Sequence, residues 1–493
     1  MLDSTQQFRN SSPPARSPHR GKQWIEHVIP ATCGLLGACT ALLMATVPAL
    51  LAWLAAGLVI TLSALENETF LLLVIFFMPV GWMLAGDTPV RNVHVVFHGL
   101  VVAGFFLGRS LRRSVGLADL MRPAVSRACL LFLAAAIVPL LVEAHKRRHE
   151  SIRSMLDLVV YIGFYFLLIA WVNSRDRMRK IQLAVLISTI LTTLFGFYQE
   201  LNGGFGALWT ALYPPDFFYS RWEWRAASFL SSANNFAGYL NVIIPFSLGC
   251  YVLGLGTWRY LGKWTFVLGV VALFTTQSIG GLCGLAAVLT LATARFVRTT
   301  TAKLAILGSL ALSACTFYAF IHVLAPVHTS EQLGSDAVTR FAMWASAWNL
   351  FTHSPVFGVG WGNFTAVFDL GNPYFVPDQV AAHNIYLQLL SETGLVGFAA
   401  FFYLVFQSWT QAHNLWRGSR DSLDCALAFG VQGAFVATLV HGFVDFLFQA
   451  DPQYGTLFFT MLGLLVASSR HSGVLTQKAK TARPVAMCEA EAL

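Results

Sequence analysis

The chain comprises 493 residues, 56% of them hydrophobic and only 11% charged, with a mean hydropathy of +0.62. A soluble globule carries about a quarter charged residues, so the composition excludes a soluble enzyme and describes a polytopic membrane protein. The formal charge of +8 is scattered through short loops between apolar runs, which argues against nucleic acid as a partner and makes the charges signals of topology.

The apolar runs are long and unbroken rather than alternating. They predict an all-α polytopic helical membrane protein, because only helices or closed barrels satisfy their backbone inside a bilayer. We expect about 12–14 transmembrane helices with one large structured outer loop. The eight cysteines fall mostly in apolar runs with no CxxC pair, so neither a metal site nor a disulfide framework is expected.

Residues 1–26 are polar, with Arg9, Arg16, Arg20 and Lys22 beside Pro13-Pro14, and read as a disordered basic cytoplasmic arm. The apolar run that follows lacks a convincing small-residue cleavage site, which argues against a removable signal peptide. Since a span needs about 20 apolar residues, runs near 28–46, 48–64, 69–86, 92–108, 127–142, 156–173 and 181–198 form an N-terminal transmembrane bundle over 27–198. Two basic loops (Arg109, Arg112, Arg113 and Arg122; Arg175, Arg177, Arg179 and Lys180) fall on one side, as the positive-inside rule expects. His145-Lys146-Arg147-Arg148-His149, with Arg153, breaks that pattern by landing outside. Either the short run before it does not cross, or the outer face carries a basic patch for an anionic partner. The second reading is preferred, because removing the span inverts every later loop.

A central region, 199–325, opens with an outer loop at 199–235, where Arg221 and Arg225 bracket Glu223. Spans near 236–254, 264–277, 281–297 and 303–325 follow, with a tight outer turn at Gln277-Ser278. Residues 326–383 form the largest outer loop. Ser335 and Asp336 offer N-cap chemistry to a helix over 337–351, whose Phe341, Trp344, Trp348 and Phe351 recur at helical spacing and should lie along the membrane interface. Ser354-Pro355 ends it, and Gly358-Val359-Gly360-Trp361-Gly362-Asn363 is a turn-rich return. C-terminal spans occupy 384–469, and 470–493 is a basic cytoplasmic tail.

His383 stands where the large loop meets the next apolar segment. It is either an interfacial ring bonded to a headgroup or carbonyl, or a general base that titrates near neutrality. Tyr386, one helical turn on, would share its face as a packing or positioning residue. Arg340 is either a snorkelling interface arginine or a bidentate phosphate clamp. One of Arg221 and Arg225 can pair with Glu223, and Arg225 is the better anion-binding candidate. His441 and Asp445, four apart near the outer end of a span, are either a self-satisfied structural pair or a functional one, since an intramembrane carboxylate is costly. No P-loop, HExxH or acidic metal-binding pair appears, which argues against an ATP-driven transporter, a zinc protease or a metal-dependent transferase.

Together, Arg340-Phe341-Ala342-Met343-Trp344, the Gly358 to Phe364 turn, the block from His383-Asn384-Ile385-Tyr386-Leu387 to Glu392-Thr393-Gly394, residues 225–240 and the His441 to Asp445 block resemble the O-antigen ligase and polymerase superfamily. The likeness covers roughly 220–465. It implies a glycosyltransferase in the bacterial inner membrane, with its active face periplasmic. Such an enzyme moves a glycan from undecaprenyl diphosphate to a hydroxyl on lipid A–core or a growing polysaccharide, with no cofactor and no obligatory metal. His383 matches the family's loop histidine, and Arg340 and Arg225 match its arginines near the diphosphate, with Arg221, Tyr386, His441 and Asp445 as further substrate-binding candidates. One departure is notable: Gln277-Ser278-Ile279-Gly280-Gly281 stands where many members have Ser-Arg-Gly, leaving Arg221 or the 146–148 cluster to supply that charge. Transfer to protein hydroxyls is an alternative, as is a transporter or flippase of lipid-linked glycans. A transporter, however, should gather its ionisable residues at mid-membrane in inverted halves.

Overall fold

The computed structural model describes residues 47–80, 93–114, 116–142, 148–201, 225–230, 232–304, 308, 330–364, 381–450 and 452–474. Among them every regular element is a helix: α1 (Val47–Ala64), α2 (Glu68–Phe76), α3 (Val93–Leu111), α4 (Leu117–Met121), α5 (Ala124–Val142), α6 (Arg148–Trp171), α7 (Arg175–Leu201), α8 (Ala233–Leu253), α9 (Thr257–Thr275), α10 (Ile279–Phe296), α11 (Ser330–His353), α12 (Ile385–Gly418), α13 (Ser422–His441), α14 (Leu447–Ala450) and α15 (Pro452–His471). Seven are long and apolar enough to cross a membrane: α3, α6, α7, α8, α10, α12 and α13. The protein is therefore a multi-pass helical membrane protein. The expected span at 28–46 and most of that at 303–325 lie outside the described residues.

The chain divides into two compact units, one comprising residues 1–67 and 103–115 and the other the remainder. In the first, Arg109 grips Glu66 with two parallel bonds of 2.9 and 3.0 Å, the fork geometry that makes Arg–carboxylate pairs strong.

The second unit is built around α8 and α13, whose apolar stretches are each 83% buried. Small residues let their backbones meet, as helix packing within membranes favours. A Cβ added at Gly249 would lie 2.9 Å from the Ala426 backbone, and one at Gly433 would lie 2.3 Å from Pro245. Beside this pair α15 packs on α6, with Tyr161 stacked on Phe459 at 6.3 Å.

The two ends of this unit differ chemically. At one, Arg175 reaches Asp421 at 2.8 Å and the fully buried Asp424 at 3.2 Å, and Ser419 and Ser468 donate to the same Asp424 carboxylate. Arg470 donates to the Ile169 carbonyl there, and Arg295 lies over the Trp416 ring. At the other end α6, α8, α10, α12 and α15 begin while α7, α9 and α13 finish. Ser151, in the first turn of α6, donates to the Trp361 carbonyl at 2.6 Å, and Trp361 Nε1 donates to the Ser154 carbonyl at 3.1 Å. The start of α6, with Arg148 and Arg153, therefore shares an end with the Gly358 to Asn363 turn, whereas Lys146 and Arg147 are outside the described residues.

The loop helix differs from expectation. It begins at Ser330, so Ser335 and Asp336 lie within it instead of capping it. The helix runs through Gly334, whose cost of about 1 kcal/mol against alanine is too small to stop it. Its end at His353 is where Ser354-Pro355 placed it.

Candidate active site

α11 has two faces. Met343, Ala347 and Leu350 pack with Val359, Phe364 and Ala382 into a small core, against which half-buried Leu387 also rests. Phe341 and Trp348 point the other way and are exposed, whereas Trp344 and Phe351 are half-buried.

The turn after α11 docks onto a break in α12. Val359 N–H donates to the Ser391 carbonyl at 2.9 Å and Gly360 N–H to that of Glu392 at 2.8 Å. In return Leu395 N–H donates to the Pro355 carbonyl at 2.9 Å. The break is at Gly394, with φ +61°, facing Gly358, with φ +72°. A Cβ at Gly394 would sit 2.3 Å from the Val356 carbonyl oxygen, and one at Gly358 would sit 2.3 Å from the Glu392 backbone. Both positions thus need glycine for conformation and for space.

His383 precedes α12 in a left-handed conformation, φ +47°, uncommon for any residue with a Cβ. Asn384 holds the junction. Its side-chain oxygen caps α12 by accepting from Tyr386 and Leu387 N–H, and its amide donates to the Phe443 carbonyl, each at 3.0 Å. Ile385 N–H donates to the Gly442 carbonyl at 2.7 Å. Tyr386 is pinned by its hydroxyl to the Leu439 carbonyl at 2.9 Å and packs on Phe443. Because α12 begins at Ile385, His383 is not on the helix, and the expected shared helical face with Tyr386 does not exist.

The geometry of the second histidine and its carboxylate also differs from expectation. α13 ends at His441 and the chain turns through 442–446, so His441 and Asp445 are not a helical four-apart pair. Asp445 instead accepts from His383 Nδ1 at 3.0 Å and from Phe446 N–H at 2.8 Å. Burial alone would raise the Asp445 pKa. The hydrogen bond and charge of His383 outweigh that, helped by His441 and by the Phe446 N–H, and the carboxyl is held at about 2. An ionised carboxylate only accepts, so Nδ1 carries the hydrogen and Nε2 is left with its lone pair. The His383 side chain is 26% exposed and that of Asp445 6%, so the imidazole is partly open while its partner is shielded.

His441 is buried, with Nδ1 unpartnered among the described residues, and within electrostatic reach of both Asp445 and Arg340. Arg340 is half-buried and makes no hydrogen bond or ion pair among the described residues. Its five N–H donors have no partner among the described residues, which suits it to an anion.

The turn before α10 closes the cluster. Ser278 caps α10 by accepting from Gly281 N–H at 3.3 Å. A Cβ at Gly280 would come within 2.5 Å of the His441 ring, so this turn lies directly against it. Arg225 Nε donates to the Thr276 carbonyl at 2.8 Å and Nη2 to Asn234 at 2.7 Å, so Arg225 also anchors the turn. The structure thus connects Arg225, Arg340, His383, His441 and Asp445 in one cluster, while Arg221 lies outside the described residues.

A buried carboxylate was overlooked as a site component. Glu392 receives Gln388 Nε2 at 2.9 Å, Phe364 N–H at 3.1 Å, Gln449 Nε2 and Gly362 N–H, and is fully buried. The signal was a Gln and a Glu four apart inside an apolar helix, which must face protein rather than lipid.

Residues 264–402 match the model of a family described as O-antigen ligase, and this match supports the O-antigen ligase and polymerase superfamily. It takes in Arg340, His383 and Glu392 and stops before His441 and Asp445. No curated protein matches the chain.

Proposed function

On the premise of that O-antigen ligase match, we propose that this membrane protein is a glycosyltransferase that moves a glycan from undecaprenyl diphosphate to a sugar hydroxyl on lipid A–core or a growing polysaccharide. The reaction takes place at the periplasmic face of the bacterial inner membrane. The single observation that carries this reading is the His383–Asp445 pair, with its 3.0 Å bond, beside the unpaired guanidinium of Arg340.

In this reading Nε2 of His383 removes the proton of the acceptor hydroxyl. The hydroxyl oxygen bonds to the anomeric carbon of the donor sugar while the bond from that carbon to the diphosphate oxygen breaks. The lipid diphosphate leaves with the electron pair, and the imidazolium later returns its proton to water. A sugar hydroxyl is a weak nucleophile, so a base near neutrality helps. The leaving group needs charge stabilisation rather than protonation, and a fixed guanidinium in a poorly hydrated cleft supplies it. Attack opposite the diphosphate inverts the anomeric centre. The exposed apolar side chains of Val356, Leu395 and Val396, beside the docked turn, offer the polyprenyl tail a lipid-like path. No metal enters the reading.

Positive charge counts in the topology. Arg148, Arg153, Arg225 and Arg340 stand at the His383 end of the second unit, while Arg175, Arg177, Arg179, Lys180, Arg295, Arg417, Arg420 and Arg470 stand at the other. The larger share of basic residues favours a cytoplasmic placement for that other end, which leaves His383 outside. The test is transfer from purified undecaprenyl-diphosphate-linked glycan by the reconstituted protein. His383→Ala should abolish transfer while the protein accumulates normally, and full activity in that variant would remove the imidazole from the reaction. In a deletion strain, carrier-linked single repeats indicate a polymerase and carrier-linked full chains a ligase.

A further inference from the structure

We propose that Glu392 and Gln388 are positioning residues for His383, acting as a two-step tether from the helix break to the backbone beside the base. The inference rests on the reading of His383 as the base.

The tether is built from three observations. Glu392 Oε1 accepts from Gln388 Nε2 at 2.9 Å, which fixes the orientation of the Gln388 amide. That orientation turns Gln388 Oε1 outward, where it accepts from Ala382 N–H at 2.6 Å. Ala382 is the residue before His383, whose φ of +47° carries a steric penalty on the order of 1 kcal/mol. A penalised backbone persists only where its surroundings over-determine it. On the far side Asn384 supplies restraint through its cap and its bond to Phe443; on the near side the Gln388 bond restrains Ala382.

The amide could also stand flipped, presenting its NH2 to Ala382 N–H, donor against donor. Glu392 Oε1, already held by Phe364 N–H, disfavours this because the flip would set the Gln388 oxygen against it, acceptor against acceptor. The same carboxylate collects Gly362 and Phe364 N–H from the docked turn and Gln449 from α14. One buried side chain thus ties the turn, the short helix before α15 and the approach to His383. Both Gln388 and Glu392 are fully buried, so the tether is shielded from competing water.

This arrangement makes two measurable demands. Gln388→Met keeps the side-chain length and removes the acceptor for Ala382 N–H. It should lower kcat by roughly tenfold to a hundredfold, the scale expected when a catalytic group is misplaced by about 1 Å, with KM for the lipid-linked donor unchanged. Gln388→Glu restores an acceptor beside Glu392 without repulsion only if one of the two carboxyls is protonated, so its kcat relative to wild type at the same pH should rise as pH falls. Full kcat in Gln388→Met with intact folding overturns the tether. Full activity in His383→Ala alone overturns the reading of the base instead, so the two failures are distinguishable. Loss of accumulation in Gln388→Met would show a purely structural role and also overturn it.

Discussion

Replacing Asp445 by asparagine tests the electrostatics of the site at one atom. The substitution keeps the shape and leaves an oxygen to accept from His383 Nδ1 and from Phe446 N–H, at present 3.0 and 2.8 Å away. What disappears is the negative charge that balances the imidazolium formed when Nε2 takes the acceptor proton. A hydrogen bond to a charged group contributes about 1.5–3 kcal/mol, which at 1.4 kcal/mol per decade corresponds to a fall in kcat of roughly tenfold to 150-fold. KM for the lipid-linked donor should hold, because Asp445 is buried behind His383 and does not touch that ligand in the proposed mechanism. The assay is steady-state transfer by protein in proteoliposomes with fluorescent donor and excess acceptor. Wild-type kcat in Asp445→Asn, with His383→Ala inactive, would refute the reasoning, because the imidazole would then work without its carboxylate. The depressed pKa of Asp445, about 2, fixes the pH window. Its contribution to stability is complete above the ordinary carboxyl value of 3.8 and is lost as pH falls through about 2. The stability gap between wild type and Asp445→Asn should therefore close as pH falls from that ordinary value through about 2. A gap that persists below that range would contradict the assignment.

Arg340→Ala should raise KM for the donor by roughly tenfold to a hundredfold, the worth of charge-assisted bonds to phosphate, and Arg340→Lys should recover only part of this; an unchanged KM in both would make Arg340 a snorkelling residue. Gly394→Ala places a Cβ 2.3 Å from the Val356 carbonyl at a positive φ, so it should destabilise the protein by about 2 kcal/mol or more, read as a lower melting temperature with loss of transfer. Retention of both would mean that the turn need not dock on the helix break. Single cysteines at Arg153 and Arg420, with native cysteines replaced, should respectively accept and resist an impermeant thiol reagent in intact cells, and the reverse pattern would turn the proposed orientation over.

The helices were legible because membrane spans are written in composition. The apolar runs near 156–173, 181–198 and 424–447 correspond to α6, α7 and α13; α6 and α7 extend past the lipid-compatible stretch into polar turns, whereas α13 stops at His441, short of the run's end. The start of α11 was not legible, because Ser335 and Asp336 are good caps by type and only the surrounding fold decides whether a helix ignores them. His383, Arg340 and Asp445 each stood out as polar groups at apolar boundaries. Their pairing did not, since the His441–Asp445 spacing suggested a helix and the turn at 442–446 sends the carboxylate to a histidine 62 positions away. Glu392 was visible as a residue but not as a hub, because three of its four donors come from segments distant in sequence.

The interlocked pair α8 and α13 limits what the site can do during a reaction. With Gly249 against Ala426 and Gly433 against Pro245 at backbone contact, neither helix can slide past the other without breaking close-packed contacts along its length. His441 ends one of these rods, and the Asn234 that holds Arg225 begins the other. In the proposed reaction the rods would keep a constant spacing from one transfer to the next, so any accommodation of saccharides of different length would fall to the elements packed around them.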